Sequence, residues 1–120
     1  MNTVVVVDDD QVFSGLLKTV FEFEGYQVVV VPWPDDVVET VRQVKPALVL
    51  MDVHTGCGDT LGVLRELLAD EALKDVSVMM ISGMDRSAEC LAAGAHAFIL
   101  KPFSPSELLT KVADLTGRAE

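Results

Sequence analysis

Thr3-Val4-Val5-Val6-Val7-Asp8-Asp9-Asp10 sets four valines directly against three aspartates. Valine is stiff at its branched Cβ and favours extended backbone. A run with no polar alternation fits a strand covered on both faces, the situation of a parallel sheet flanked by helices. The aspartates then mark where the strand ends and the chain meets water. Similar apolar runs recur at Gln27–Val31, Ala47–Met51, Val76–Ile81 and Ala97–Leu100, and these five stretches are the predicted strands.

The segments between them change to helical period. Phe13, Leu16, Leu17 and Val20 form the stripe of a first helix that stops at Gly25. A second opens at Pro34-Asp35-Asp36, carries Val37, Val38, Val41 and Val44, and breaks at Pro46. Leu61, Leu64 and Leu68 mark a third, and a short fourth lies between Asp85 and Ala93 with Gly94 after it. The last begins at Ser104-Pro105-Ser106-Glu107, a capping box with proline at the first helical position, and continues through Leu108, Leu109, Val112 and Leu115. Five strand–helix units in alternation predict one α/β domain over residues 1–120, with an open parallel sheet and helices on both faces. No linker, repeat or low-complexity segment interrupts it.

Composition narrows the function. The chain has 120 residues, half of them apolar, enough for a core and too many for disorder. No apolar run approaches the roughly 20 residues of a membrane span, and the N-terminus lacks the basic region of a signal peptide. A cytoplasmic protein without membrane contact is expected. Nine basic against nineteen acidic residues give a net charge of −10, which argues against direct nucleic-acid binding. Cys57 and Cys90 read as free thiols in a reduced compartment.

In an open parallel sheet, ligands bind beyond the carboxyl ends of the strands. There the sequence delivers Asp8, Asp9 and Asp10 after the first strand, Asp52 after the third, Ser82 and Gly83 after the fourth, and Lys101-Pro102 after the fifth. Turn and cap preferences account for any one of these residues. They account poorly for all of them at one edge. Asp8, Asp9 and Asp52 would repel unless a proton or a cation joined them, and an all-oxygen donor set suits Mg²⁺. With the dication and the Lys101 ammonium, the charges nearly balance. An aspartate can act as a nucleophile toward phosphorus and form an aspartyl phosphate. Phosphoryl transfer asks mainly for positioning and charge neutralisation, here from Mg²⁺, Lys101 and the Ser82 hydroxyl.

The order Val4-Val5-Val6-Val7-Asp8-Asp9-Asp10, Leu48-Val49-Leu50-Met51-Asp52, Ile81-Ser82-Gly83, Gly94-Ala95 and Phe98-Ile99-Leu100-Lys101-Pro102-Phe103 resembles the receiver domain of bacterial response regulators along nearly the whole chain. The resemblance implies a flavodoxin-like, doubly wound (βα)5 fold with strand order 2-1-3-4-5. It makes Asp52 the phosphoacceptor, fed by a histidine kinase or phosphotransfer protein. Asp9 would bind Mg²⁺ directly, with Asp8 nearby or through water and the His54 carbonyl as a further ligand. Ser82 and Phe98 would form the switch, Lys101 would bind the phosphoryl group, and Lys101–Pro102 would be cis. The protein would then be a signalling switch with a downstream protein target, and would catalyse only its own phosphorylation and dephosphorylation.

Two stretches depart from the family pattern. After Asp52, Gly56 and Asp59-Thr60 stand where the family usually has proline and Asp-Gly, which predicts a more mobile loop. Between Ser82 and Gly94 the chain is shorter by about three residues, close to one helical turn, which puts partner choice and dimerisation mode in question.

His54, Cys57 and Asp59 match no paired zinc spacing and read as an ordinary loop. His54, two residues past Asp52, bears on phosphate hydrolysis only by its proximity. His96 reads as a surface residue, Trp33 and Phe98 as packing unless the switch applies, Met79 and Met80 as core, and Asp10 as a helix cap. Nothing beyond Thr116 reads as an output domain, which fits a single-domain regulator, a relay shuttle or a piece of a larger protein. Three rivals remain: a docking module that no longer takes phosphate, a phosphohydrolase with an aspartyl-phosphate intermediate, and a flavin-binding protein of the same architecture. The complete acid–hydroxyl–lysine set opposes the first. The lack of a substrate cap opposes the second, and the acidic first loop would repel the phosphate of a flavin.

Overall fold

The computed structural model describes residues 3–32, 36–55 and 58–116. In chain order the elements are β1 (Thr3–Val7), α1 (Gln11–Phe23), β2 (Gln27–Val31), α2 (Val37–Val44), β3 (Leu48–Asp52), β4 (His54–Thr55), β5 (Gly58–Asp59), α3 (Leu61–Ala69), a 3-10 turn (Glu71–Leu73), β6 (Ser77–Ser82), α4 (Ser87–Ala92), β7 (Ala97–Leu100) and α5 (Pro105–Thr116). The main sheet runs β2-β1-β3-β6-β7, all parallel. Counting only its own strands, that is the order 2-1-3-4-5. The short β4 and β5 pair with each other, antiparallel.

The valine runs are explained by what covers them. Val4, Val6, Leu48, Leu50, Met79, Ile81 and Ile99 face α1 and α5, where Leu17, Phe21, Leu108 and Val112 are buried. Val5, Val7, Val49, Met51, Val78 and Met80 face the other way, against Val37, Val41, Leu61, Leu64 and Cys90 of α2, α3 and α4. Each central strand therefore feeds two cores with alternate residues, and neither face tolerates a polar side chain. Cys90 is a free, buried thiol whose pKa is pushed up by burial.

Local chemistry sets the element ends. The Asp10 carboxylate accepts from the backbone N–H of Val12 and Phe13 at 3.0 and 3.1 Å, capping α1 as expected. Lys45, just before Pro46, ends α2 with φ 49°. Ser104 Oγ accepts from the Glu107 N–H at 3.0 Å and caps α5. Gly94 turns α4 into β7 at φ 105°, and a Cβ there would lie 2.7 Å from Leu68 Cδ1.

Three outcomes differ in detail from the sequence reading. β3 and β6 each sit one residue later than predicted, so Asp52 and Ser82 close their strands instead of following them. Helix α4 is shorter still than the Asp85–Ala93 span, because Asp85 Oδ1 takes the Ser87 N–H and hydroxyl at 3.1 and 2.6 Å outside the helix. The residues around Gly56 pair as β4–β5, while Gly56 and Cys57 lie outside the described residues, as do Trp33, Pro34 and Asp35. Among the described residues no helix is long and apolar enough to cross a membrane.

Candidate functional site

The carboxyl ends of β1, β3, β6 and β7 lie side by side, and the parallel register fixes what each presents. Asp52 pairs in register with Ile81, and Ser82 with Leu100, the residue before Lys101. Lys101 N–H donates to the Ser82 carbonyl at 2.9 Å, continuing the ladder past the strand. The Lys101–Pro102 peptide is cis.

The Asp52 carboxylate is nearly buried, at 8% exposure. Its Oδ1 accepts from the His54 backbone N–H at 2.9 Å, and its Oδ2 from the Lys101 ammonium, also at 2.9 Å. The Asp52 carbonyl accepts from Thr60 Oγ1 at 2.8 Å, and Val53 N–H donates to the Ile81 carbonyl at 2.8 Å. The residues flanking Asp52 are thus held by hydrogen bonds from both sides.

Asp8 is more buried, at 4%. Its Oδ1 accepts from the Asp10 N–H at 2.9 Å, while Oδ2 is buried without a hydrogen-bond partner. Burial pushes the Asp8 pKa up to about 6; the Asp10 N–H works against that, the Asp52 carboxylate adds to it, and Lys101 offsets part of it. A buried carboxylate oxygen with no donor, facing a second carboxylate, is a natural place for a hard cation. Asp9, half-buried, follows at the same strand end. Among the described residues no three His, Cys, Asp or Glu side chains form a ready-made cage.

Ser82 is buried at 3%, and its Oγ accepts from the Met84 N–H at 3.1 Å. Phe98 is half-buried against the core shared by α3 and α4. The structure therefore brings Asp8, Asp52, Ser82 and Lys101 to one edge, with the His54 backbone joined to Asp52.

Three residues make contacts that the sequence reading did not foresee. His96 is exposed, yet its Nδ1 accepts from the Val78 N–H at 3.0 Å, serving the start of β6. Phe13 places its ring under the Lys101 ammonium, 4.2 Å from Nζ to the centroid. Arg86, just before α4, reaches Glu89 at 2.8 Å, Asp59 at 2.9 Å and His54 Nε2 at 3.2 Å. Burial opposes the charge on Asp59, but the Leu61 N–H and Arg86 outweigh it and hold its pKa below the usual range. Arg86 thereby straps β4 and β5 to α4. Replacing it with glutamine is expected to speed amide hydrogen exchange at His54 and Thr60 several-fold, and an unchanged exchange rate at both would refute the strap.

The family model of the response regulator receiver domain matches residues 4–113. The DNA-binding response regulator MtrA of Mycolicibacterium smegmatis is 30% identical over 120 residues, covering 98% of this chain and 51% of that protein. The chain thus spans about half the length of the curated relatives it matches. The BeF3-activated N-terminal receiver domain of Klebsiella pneumoniae RstA superposes with TM-score 0.88 at 26% identity, covering 96% of this chain and 98% of that one. The receiver domain of the Pseudomonas aeruginosa sensor histidine kinase PA1611, solved with magnesium coordinated in its active-site cleft, superposes with TM-score 0.87 at 24% identity, over 97% and 98% of the two chains, and shows the shared fold.

Proposed function

The chain belongs to the response regulator receiver domain family, and on that footing we propose that Asp52 accepts a phosphoryl group from the phosphohistidine of a histidine kinase or phosphotransfer protein, with Mg²⁺ bound, and so switches a protein-binding surface. The observation that carries this reading is the Lys101 ammonium 2.9 Å from Asp52 Oδ2, beside an Asp8 oxygen that has no donor.

Asp52 needs no general base, because an ionised carboxylate has no proton to lose. Its oxygen attacks phosphorus, the P–N bond of the donor breaks, and the electron pair leaves with the imidazole nitrogen. Asp8, Asp9, Asp52 and the His54 carbonyl would hold Mg²⁺, which when bound supplies positive charge to a phosphoryl oxygen and lets the carboxylates coexist. Lys101 follows the negative charge outward from the carboxylate to the phosphoryl group. The Ser82 hydroxyl turns toward a phosphoryl oxygen, and Phe98 repacks into the space this opens, shifting a two-state equilibrium of the surface around β7. The chain acts as a cytoplasmic signalling switch and catalyses no reaction but its own phosphorylation and dephosphorylation. Its net charge of −10 argues against direct nucleic-acid binding by this stretch.

Intact mass after incubation with Mg²⁺ and acetyl phosphate tests the proposal. The parent should gain one phosphoryl group and Asp52→Asn none. No gain by the parent, or equal gain by Asp52→Asn, overturns it.

A further inference from the structure

Phe13 is partly buried against the core that the sheet shares with α1 and α5. It sits in the first turn of α1, its backbone N–H fixed by the Asp10 carboxylate at 3.1 Å. Its ring meets Phe103 edge to face, with centroids 6.1 Å apart and planes at 75°. That packing sets the ring plane. The Lys101 ammonium lies 4.2 Å from the ring centroid while donating to Asp52 Oδ2 at 2.9 Å. The Lys101 side chain is 30% exposed, so water does not by itself fix where its charge rests.

We propose that Phe13 is a positioning residue for phosphoryl uptake, holding the Lys101 ammonium through a cation–π contact as its charge partner changes from carboxylate to phosphoryl oxygen. The inference rests on the function proposed above. A lysine loses much rotamer freedom when it is held in one place. An aliphatic neighbour would strip water from the ammonium and return nothing. The negative face of the phenyl ring returns part of that loss. The attraction is also soft in direction. A carbonyl in the same place would pin the ammonium along one line, whereas a ring face lets it slide toward the arriving phosphoryl group without being released. Phe103, in the segment that follows Lys101, keeps the ring facing that path.

The test compares the parent, Phe13→Leu and a series with progressively fluorinated phenylalanine at position 13. Fluorination empties the ring face while nearly preserving its shape; it also alters the edge-to-face contact with Phe103, and the melting temperatures register that structural effect separately from the uptake rate. The rate of phosphoryl uptake from acetyl phosphate with saturating Mg²⁺ should fall roughly threefold to tenfold in Phe13→Leu. It should fall in graded steps along the fluorinated series, with melting temperatures recorded alongside. In the parent, the Lys101 ε-methylene protons should be shifted upfield by the ring, and Phe13→Leu should abolish that shift. Parental rates throughout overturn the proposal, as does a slow Leu variant beside unaffected fluorinated rings. An unshifted Lys101 signal in the parent overturns it independently of any variant. If the parent takes no phosphoryl group, the proposed function fails, while the proton shift still decides whether Phe13 holds Lys101.

Discussion

Lys101→Ala is expected to slow phosphoryl uptake by about 10²-fold or more, the scale on which a single preorganised charge donor acts in a partly dry site. Among the described residues Lys101 is the only cation in hydrogen-bond contact with Asp52. Without it, the developing charge on the phosphoryl oxygens loses its ammonium, and the neighbouring Asp8 loses a partner that offsets its burial. Because the lysine side chain is 30% exposed, the loss to folding should be small beside the loss to chemistry. Single-turnover mass spectrometry with saturating Mg²⁺ measures the rate, and thermal unfolding separates the two effects. Uptake at the parental rate would remove Lys101 from the mechanism.

Asp8→Asn is expected to raise the stability of the metal-free protein at pH 7 to 8 by about 1–3 kcal/mol. Burial lifts the folded-state pKa of Asp8 from 3.8 to about 6. A raised carboxyl pKa means that the folded state holds its proton more tightly than the unfolded chain. The stabilisation is complete below the unfolded value of 3.8 and is lost as pH rises through about 6. In chelator, the parent should therefore weaken between pH 4 and pH 7, by at most about 3 kcal/mol. The asparagine variant should show a flatter profile, and Mg²⁺ should stabilise the parent at pH 7 more than the variant. Urea unfolding across that range, with and without Mg²⁺, makes the comparison. A variant no more stable than the parent at pH 7 in chelator would contradict the orphaned-oxygen account of Asp8.

The parts of the molecule that could be read in advance are those governed by repetition along the chain. Val4 to Val7 and Leu48 to Met51 lack polar residues because alternate side chains enter two different cores, and that condition is written into the strands themselves. Asp8, Asp52, Ser82 and Lys101 could be grouped because a parallel sheet brings all its carboxyl ends to one edge. The strand ends were misjudged by one residue at Asp52 and Ser82, where a polar side chain still continues the ladder. Contacts made by the reach of one side chain were not legible. Arg86 spans His54, Asp59 and Glu89 only because α4 starts beside β4 and β5. Phe13 meets Lys101 only because the lysine side chain reaches from beyond β7 to Asp52 at the end of β3, which carries its ammonium over the Phe13 ring. The ring nitrogen of His96 substitutes for a backbone acceptor, a role that periodicity does not encode.

The division of the sheet into a chemical edge and an opposite edge has a consequence for how such a chain can vary. The returns at Gly25, Lys45-Pro46, Glu71–Leu73 and Gly94 all lie where helices come back to begin the next strand. Residues inserted or deleted there change a helix or its return and leave each strand's exit point in place. The abbreviated α4 illustrates this, since Lys101 still bonds the Ser82 carbonyl at 2.9 Å. One residue lost inside β6 is a different matter: it would swap the two cores along that strand and turn the Ser82 hydroxyl to the opposite face. Length can drift at these returns, whereas inside the strands the alternation between the two cores fixes it.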